Sequence, residues 1–287
     1  MKYPDKIDLH MHSVISDGTE TLAEIISDVK EAGIGLFSLT DHDAIKGCAI
    51  IPQLLKEGDP QFITGVELGC RDEDGQYHIL GYGYNTDSAA MQGLVEKTHR
   101  IRMQKVHTRL DLLESQCGIS FPEEEIRALL ALDTPGKPHI ANLLVKHGYA
   151  GSIEEAMKEY LNKLRVKLGI IRPEEAIACI LAGGGIPILG HPTYGNGDQL
   201  IMGEEMDRRL RRLKEFGLRG IEAYYSGFTA RITRELMNFA DKYDLLVTAG
   251  SDFHGRNKLV QLGDTGLEPG DEFPERLCRF LDEVSAG

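Results

Sequence analysis

Apolar and polar positions alternate near the start of the chain, where residues 7–12 carry Ile, Asp, Leu, His, Met and His in turn. Because successive side chains of a β-strand point to opposite faces, this pattern predicts a strand with one apolar face. The other face carries Asp8, His10 and His12. Two imidazoles side by side can bind one metal ion, although the pair also suits a plain, half-exposed strand.

Strand and helix patterns alternate over much of the remaining chain. Thr21, with Glu24 three residues later, predicts a helix that begins with a capping box. Further strands are predicted over residues 36–40, 62–66, 77–82, 186–190, 220–224 and 245–249, with a hairpin turn at 72–75. Helices of the same regions are predicted over residues 21–32, 45–56, 173–182, 204–216, 229–243 and 273–284. The alternation predicts an α/β fold whose parallel sheet closes into a barrel, with an open sheet as the alternative.

A different pattern occupies residues 87–172, where helical periodicity replaces the strand patterns. Helices are predicted there over residues 91–114, 122–132, 140–146 and 153–161. We therefore predict a barrel domain formed by residues 1–86 and 173–287, interrupted by a helical insertion at 87–172 that caps it.

The net charge of −13 and the cysteine pattern limit the partners and the location. Duplex nucleic acid requires a broad basic surface, which this composition disfavours, whereas bound cations can still attract a small phosphorylated substrate into a cleft. Five scattered cysteines without a Cys-x-x-Cys pair predict free thiols in a reducing cytoplasm. The sequence lacks a membrane-length apolar run and the apolar core of a signal peptide, so we expect a cytoplasmic protein with no membrane partner. No obligate protein partner is evident.

Side chains that can bind metals fall at or just after the ends of the predicted strands. They are His10, His12, Asp41, His42, Glu67, His191, Asp252 and His254, and His78 lies in the predicted hairpin. The carboxyl ends of barrel strands converge on one face, which would bring these residues together. Histidine and carboxylate ligands without cysteine suit Zn, Mn or Fe. Taken singly, each residue also has a plainer interpretation, such as a salt-bridge partner for Glu67 or a helix cap for Asp252.

Five short motifs follow one another in chain order. They are Asp8-Leu9-His10-Met11-His12-Ser13 with Asp17-Gly18, Thr40-Asp41-His42-Asp43, Gly65-Val66-Glu67, Gly190-His191-Pro192 and Ser251-Asp252-Phe253-His254. Together they resemble the motifs of the PHP family, whose name comes from polymerase and histidinol phosphatase. The insertion, with Gly136-Lys137-Pro138-His139-Ile140-Ala141, resembles the branch of small bacterial phosphoesterases that act on nucleotides. That branch more often carries Arg where this chain has Lys137, and Ala where it has Gly190.

The resemblance implies a distorted (β/α)7 barrel with two to three divalent metal ions, of Mn, Fe or Zn. One ion would be bound by His10, His12, Glu67 and Asp252. A second would share Glu67 and add His78 and His191, and a third would use Asp17, His42 and His254. Asp8 and Asp41 would orient the imidazoles.

The activity implied is metal-dependent hydrolysis of phosphate esters by a metal-activated hydroxide. Glu67, Asp41 and His139 are the candidate catalytic residues, and Lys137, His139 and Tyr225 are the candidate substrate-binding residues. Lys137 and His139 stand at the start of a predicted helix, where a phosphate is favoured, although His139 could serve only as a cap. Tyr225, beside Tyr224, could stack on a base or pack in the core.

Basic residues also decorate the first helix of the insertion. We interpret Arg100, Arg102, Lys105 and Arg109 as a solvated charged face.

The expected substrates are small phosphorylated nucleosides, such as a 3′,5′-bisphosphate, or the 5′ end of a short single-stranded RNA. One alternative is a histidinol-phosphate-type phosphatase, although that branch usually lacks the insertion. A second alternative is a non-catalytic metal-binding module. A third is an amidohydrolase, a class that commonly places a bridging lysine at a strand end.

Overall fold

A computed structural model of the protein describes residues 3–166, 169–194, 200–268 and 270–286. The predicted domains also include residues 1–2, 167–168, 195–199, 269 and 287, which lie outside these ranges. The strands are β1 (Ile7–Asp8), β2 (Leu36–Leu39), β3 (Gln61–Asp72), β4 (Gly75–Tyr82), β5 (Ile186–Gly190), β6 (Gly220–Tyr225) and β7 (Leu246–Gly250). They form one sheet in sequence order.

The sheet nearly closes into a barrel because the chain after β1 hydrogen-bonds to the end of β7. Leu9 N donates to the Ala249 carbonyl at 3.0 Å, and Asp252 N donates to the His10 carbonyl at 2.8 Å. Neighbouring strands are parallel except for β4, which is antiparallel to both β3 and β5. The closed form of the sheet and the hairpin at residues 72–75 were predicted correctly.

Six helices accompany the barrel strands in the described part of the chain. They are α1 (Leu22–Glu31), α2 (Lys46–Leu54), α7 (Pro173–Ala182), α8 (Gly203–Glu215), α9 (Ala230–Tyr243) and α10 (Glu275–Ala286). Thr21 caps α1 as predicted, since its side chain accepts from Glu24 N while the Glu24 carboxylate accepts from Thr21 N. This reciprocal pairing satisfies two backbone donors that the helix cannot use internally.

The first strand is shorter than its alternating pattern predicts. Pairing ends at Asp8, and the next residues keep only an isolated bridge between Met11 and Phe253. The backbone in this region turns toward β7 and the loop after it, because Leu9 N donates to Ala249 and His12 N donates to Phe253. His10 and His12 nevertheless both reach the same carboxylate, as described below.

The predicted insertion contains four helices among the residues described. They are α3 (Ala89–Cys117), α4 (Glu123–Leu130), α5 (Lys137–Lys146) and α6 (Ile153–Ala156), and α6 continues as a π-helical turn, Met157–Leu161. Val106 and Leu113 of α3 pack with Ile140 of α5 in a hydrophobic cluster that is separate from the barrel core. Met91 and Leu94, at the other end of α3, belong to the barrel core. The long helix therefore spans two cores.

Within the described residues, none of the helices combines the length and the apolar character that a membrane crossing requires.

Candidate metal centre

Loops at one end of the barrel bring the predicted ligand residues into a single cluster. His10, His12 and Asp17 follow β1, while Glu67 and His78 lie on the β3–β4 hairpin. His191 follows β5, and Asp252 and His254 follow β7. Two of these residues need strained backbone to reach the cluster, because His191 has φ 24° and Asp252 has φ 60°. Positive φ is costly for residues other than glycine, and such strain concentrates at functional sites.

One oxygen of Glu67 faces the two imidazoles that follow β1. Glu67 Oε2 lies 3.2 Å from His10 Nε2 and 3.1 Å from His12 Nε2. Asp252 Oδ1 approaches the same two nitrogens, at 3.5 Å and 3.3 Å. These four buried residues therefore form a compact group able to bind one metal ion.

The other oxygen of Glu67 faces two further imidazoles. Glu67 Oε1 lies 3.0 Å from His191 Nε2 and also contacts His78 Nδ1. The two imidazole nitrogens are 3.0 Å apart. His42 Nδ1 is 3.3 Å from Glu67 Oε2, so Glu67, His42 and His78 form a second group able to bind metal.

A third group surrounds Asp17. Asp17 Oδ1 lies 3.3 Å from His254 Nε2, and Asp17 Oδ2 lies 3.9 Å from His42 Nε2. His12 is the fourth member of this group. Glu67, His12 and His42 each belong to two of the three groups, so the site is one continuous centre.

Unsatisfied buried atoms test whether metal suits this centre. His12 Nε2, His42 Nδ1 and Asp17 Oδ1 are buried and make no hydrogen bond of acceptable geometry to any described residue. Buried polar atoms almost always have a partner, so three such atoms in one cluster require an explanation. A cation would satisfy all three, and imidazole with carboxylate is the ligand chemistry of Zn, Mn and Fe.

The acidic residues of the cluster stay ionised despite their burial. Burial alone would raise the pKa of Glu67, but the imidazoles of His42, His78 and His10 hold it well below its usual range. Burial opposes protonation of His12, yet the nearby carboxylates of Asp252 and Glu67 raise the pKa of His12 to about 9. Without metal, protons would therefore occupy part of the centre.

Asp8 and Asp41 do not contact the imidazoles as expected. Asp8 accepts hydrogen bonds from Ser251 N at 3.0 Å and from Gly263 N at 2.8 Å, so it fixes the loop after β7. Asp41 accepts from Ser13 N at 2.8 Å and from Ser16 Oγ at 2.6 Å. Its carboxylate holds the loop after β1 and lies outside the three metal groups.

Glu222, on β6, was missed by the sequence analysis. Its Oε1 accepts from His10 Nδ1 at 2.9 Å, and its Oε2 accepts from His191 N at 2.7 Å. This buried carboxylate fixes the tautomer of His10 and leaves Nε2 directed at Glu67. One acidic residue inside the apolar pattern of residues 220–225 was the available indication.

Lys258 was missed for a different reason. It lies on the loop after β7 and pairs with Asp252 Oδ2, which also accepts from Tyr225 Oη at 2.8 Å. No local pattern distinguishes this lysine from an ordinary surface residue.

A cavity of about 390 Å³ adjoins the metal centre and carries several cations. Its walls include Asp17, His42, His78, Arg102, Lys105, Arg109 and Lys137. The interpretation of the α3 residues as a solvated charged face is wrong, because three of the four line this cavity and only Arg100 is exposed. The helix leans over the barrel mouth, which its own periodicity does not reveal.

The cavity cations lack enough acidic partners. Burial lowers the pKa of Lys105 to about 8 and that of Arg109 to about 10, and neighbouring arginines add to both shifts. Arg109 Nε is buried and makes no hydrogen bond to any described residue. Lys137 Nζ donates to Asn162 Oδ1 at 2.8 Å, which neutralises no charge. A cavity crowded with cations favours an anionic ligand.

The comparisons with known proteins agree with these motifs and this geometry. A family model described as the PHP domain matches residues 8–170. The chain belongs to the PHP family. It is 30% identical, over 90% of its length, to a 5′-3′ exoribonuclease of Haemophilus influenzae, of which it covers 93%.

Two other PHP relatives differ in the activity that their names state. The chain is 27% identical, over 87% of its length, to a phosphoribosyl 1,2-cyclic phosphate 1,2-diphosphodiesterase of Eggerthella lenta, covering 94% of it. It is also 27% identical, over 86% of its length, to a 3′,5′-nucleoside bisphosphate phosphatase of Chromobacterium violaceum, covering 87% of it.

A solved structure shows the same PHP fold. It is assigned as a metal-dependent phosphoesterase of Bifidobacterium adolescentis, and it superposes with a TM-score of 0.83 at 24% identity over 96% of both chains. The comparisons confirm the family and the barrel fold expected from the motifs. They also support the expected enzyme class, a metal-dependent hydrolase of phosphate esters.

His139 and Tyr225 make structural contacts in this PHP protein. His139 Nδ1 accepts from Gly136 N at 3.1 Å, so the imidazole caps α5, and it is not part of the cavity wall. Tyr225 is buried, and its ring centroid lies 5.0 Å from that of Phe228. Its hydroxyl serves Asp252, which leaves no free ring face evident for a base.

Proposed function

We propose that this protein is a metal-dependent phosphoesterase that removes phosphate from small nucleotides carrying a second phosphate, or acts at the 5′ end of a short single-stranded RNA. One observation carries the proposal. The cation-lined cavity and the histidine–carboxylate centre share walls at Asp17, His42 and His78. A substrate with two phosphate groups can therefore present one to each region.

The nine predicted ligands are proposed to hold two to three divalent ions of Mn, Fe or Zn. They are His10, His12, Asp17, His42, Glu67, His78, His191, Asp252 and His254. Ions bound there would activate water and neutralise charge on the phosphoryl oxygens. Glu67 touches five of the imidazoles, so we assign it the central role in holding the centre together.

The protein's own residues are proposed to bind and orient the substrate. Arg102, Lys105, Arg109 and Lys137 would bind the phosphate that is not hydrolysed, since their charges are close and incompletely compensated. Lys137 offers a single ammonium, where arginine would offer a planar fork, so most of the directional recognition falls to Arg102 and Arg109. The proposal does not depend on the predicted roles of His139 and Tyr225, and we assign Asp41 to the support of the loop after β1.

The division of the chain is part of the same proposal. Residues 87–172 would form the cap that sets substrate specificity, and residues 1–86 and 173–287 would form the metal-binding barrel. The separate hydrophobic cluster around Val106 and Ile140 supports this division. A cytoplasmic location also remains our proposal, and the five free cysteine thiols suit a reducing compartment.

Relatives support a nucleotide or RNA substrate. The names of two relatives state a 5′-3′ exoribonuclease and a 3′,5′-nucleoside bisphosphate phosphatase. Both activities involve a phosphoester on a nucleotide that carries another phosphate, which is the substrate class that the cavity suits.

Phosphate release from a substrate panel tests the proposal. The panel comprises adenosine 3′,5′-bisphosphate, AMP, short 5′-phosphorylated RNA and histidinol phosphate, each with added Mn. Wild type is compared with His10→Ala, which removes one ligand, and with Lys137→Ala, which removes one cavity cation. We expect release from the bisphosphate or the RNA that His10→Ala abolishes and Lys137→Ala weakens.

Two outcomes would overturn the proposal. Faster hydrolysis of histidinol phosphate than of any nucleotide would favour the histidinol-phosphate-type phosphatase. Metal-loaded protein that hydrolyses nothing in the panel would favour the non-catalytic module.

A further inference from the structure

Asp43 links three parts of the molecule beside the cavity. Its backbone N donates to the Glu67 carbonyl at 2.9 Å, and its Oδ1 accepts from Gly69 N at 3.3 Å. Its Oδ2 accepts from Arg102 Nε at 2.5 Å. Asp43 therefore connects the loop after β2 with strand β3 and with helix α3.

The conformation of Asp43 is strained. Its φ is 53°, in the left-handed region that favours glycine, while its side chain is almost completely buried. Such a conformation is disfavoured for an L-residue, although Asp adopts it more readily than most residues other than glycine. Two hydrogen bonds to the carboxylate and one from the backbone N hold Asp43 against this cost, so its orientation is well determined.

The contact with Asp43 uses only the inner edge of the Arg102 guanidinium. Nε makes the hydrogen bond, whereas Nη1 lies near Gly136, where an added Cβ would be 3.1 Å from it. Gly136 and Arg102 both line the cation-lined cavity. The outer edge of the guanidinium is therefore presented toward the region where a phosphate would bind, and this edge matches phosphate geometry.

We propose that Asp43 is a positioning residue for Arg102, fixing the guanidinium so that the substrate's second phosphate meets its Nη edge. The inference rests on the proposed function, because it assumes that the cavity binds phosphate. It adds that phosphate recognition by the cap depends on a barrel residue beside His42. Through the Asp43–Glu67 backbone contact, the distance between the two phosphate-binding regions is set by the barrel.

A second ion pair provides a matched control. Lys46 Nζ lies 2.9 Å from Asp133 Oδ2, and this pair connects the start of α2 with the predicted insertion. Neither residue lines the cation-lined cavity. Lys46→Gln therefore breaks another link between the barrel and the insertion without touching the phosphate site.

The test compares the preference for a second phosphate in matched variants. The preference is the kcat/KM for adenosine 3′,5′-bisphosphate divided by that for whichever of 3′-AMP and 5′-AMP is hydrolysed. We expect Arg102→Gln to lower this ratio about 10- to 100-fold, because this is the usual effect of removing a hydrogen bond to a charged group. Asp43→Asn should lower it about fivefold or more, because asparagine has no charge and only one accepting oxygen for Gly69 N and Arg102 Nε, so the guanidinium is held less firmly.

A double variant tests whether Asp43 acts by positioning Arg102 or independently of it. The double variant Asp43→Asn/Arg102→Gln should equal Arg102→Gln alone, since Asp43 acts through Arg102. Arg102→Lys should resemble Asp43→Asn, because one ammonium cannot serve both Asp43 and a phosphate. Lys46→Gln should keep the wild-type ratio, and metal content by elemental analysis should be unchanged in every variant.

Three results would overturn the inference. They are an unchanged ratio in Asp43→Asn alongside a reduced one in Arg102→Gln, effects of the two changes that multiply, and loss of metal from Asp43→Asn. Failure of the proposed function gives a different pattern, in which Arg102→Gln, Lys105→Gln and Arg109→Gln all keep the wild-type ratio.

Discussion

Replacing Glu222 by Gln should weaken metal binding without unfolding the barrel. The carboxylate is fully buried and accepts two hydrogen bonds, from His10 Nδ1 at 2.9 Å and from His191 N at 2.7 Å. Glutamine keeps the volume but has one accepting oxygen, so its amide N–H₂ must face one of the two donors. Either His10 loses its fixed tautomer or the strained backbone of His191 loses its support.

The size of the effect follows from these contacts. When a metal-binding imidazole loses the carboxylate that accepts its other N–H, metal affinity typically falls 10- to 100-fold, or by about 1.4 to 2.7 kcal/mol. A ligand stabilises the folded state according to its affinity, so metal should also raise the melting temperature of the variant less than that of wild type. Metal-free variant and wild type should differ less, because the substitution is nearly isosteric.

Equilibrium dialysis against buffered Mn, read by elemental analysis, measures the affinity. Thermal melts with and without metal give an independent measurement. Glu215→Gln is the control, because it removes the same charge from an exposed position on α8. Wild-type metal affinity in Glu222→Gln would refute the argument that this carboxylate orients His10.

Three further predictions concern other parts of the structure. In metal-free protein, the pKa of His12 is about 9, above its unfolded value of 6.5. Protonation of His12 therefore stabilises the folded state fully below pH 6.5, and this stabilisation is lost as the pH rises to about 9. The loss is about 3 kcal/mol, and melts of metal-free protein that stay level over this range would contradict it. Tyr225→Phe should weaken metal binding a fewfold, because Asp252 loses a hydrogen bond. The relative rates for purine and pyrimidine substrates, measured in competition assays, should not change. Thr21→Ala should destabilise the protein by about 1 kcal/mol through loss of the α1 cap, and a urea midpoint equal to that of wild type would show that the cap contributes nothing.

The cluster of ligand residues was predictable because it depends on local chemistry and strand order. Most predicted ligands follow a strand whose apolar pattern is clear, and closure of the barrel brings strand ends together. Glu67 and His78 differ, because β3 and β4 continue past them as a hairpin. The same reasoning could not distinguish roles. Asp41 has a carboxylate that could bind metal, yet it accepts hydrogen bonds from Ser13 and Ser16 instead. Its role is set by the direction of its side chain in an irregular loop.

The cavity was not predictable from periodicity, for a reason visible in α3. One end of this helix packs in the barrel core through Met91, and the other packs in the insertion core through Val106. Its hydrophobic positions therefore change face along its length, and no single stripe identifies the exposed side. Arg102 and Lys105 look solvated in such a pattern, although the insertion folds them over the barrel mouth.

A net charge of −13 would repel a phosphate substrate, but the charge around the cavity differs from that of the whole chain. Two of the acidic residues, Asp17 and Asp43, line the cavity, but there they face Arg102, Lys105, Arg109 and Lys137. The excess of cations is carried by the insertion, while the barrel carries the ligands for metal. Neither part alone would favour a substrate with two phosphates, because each offers a site for only one. Specificity for such a substrate would then depend on how rigidly the two parts are joined, and the link from Glu67 through Asp43 to Arg102 joins them directly beside the site.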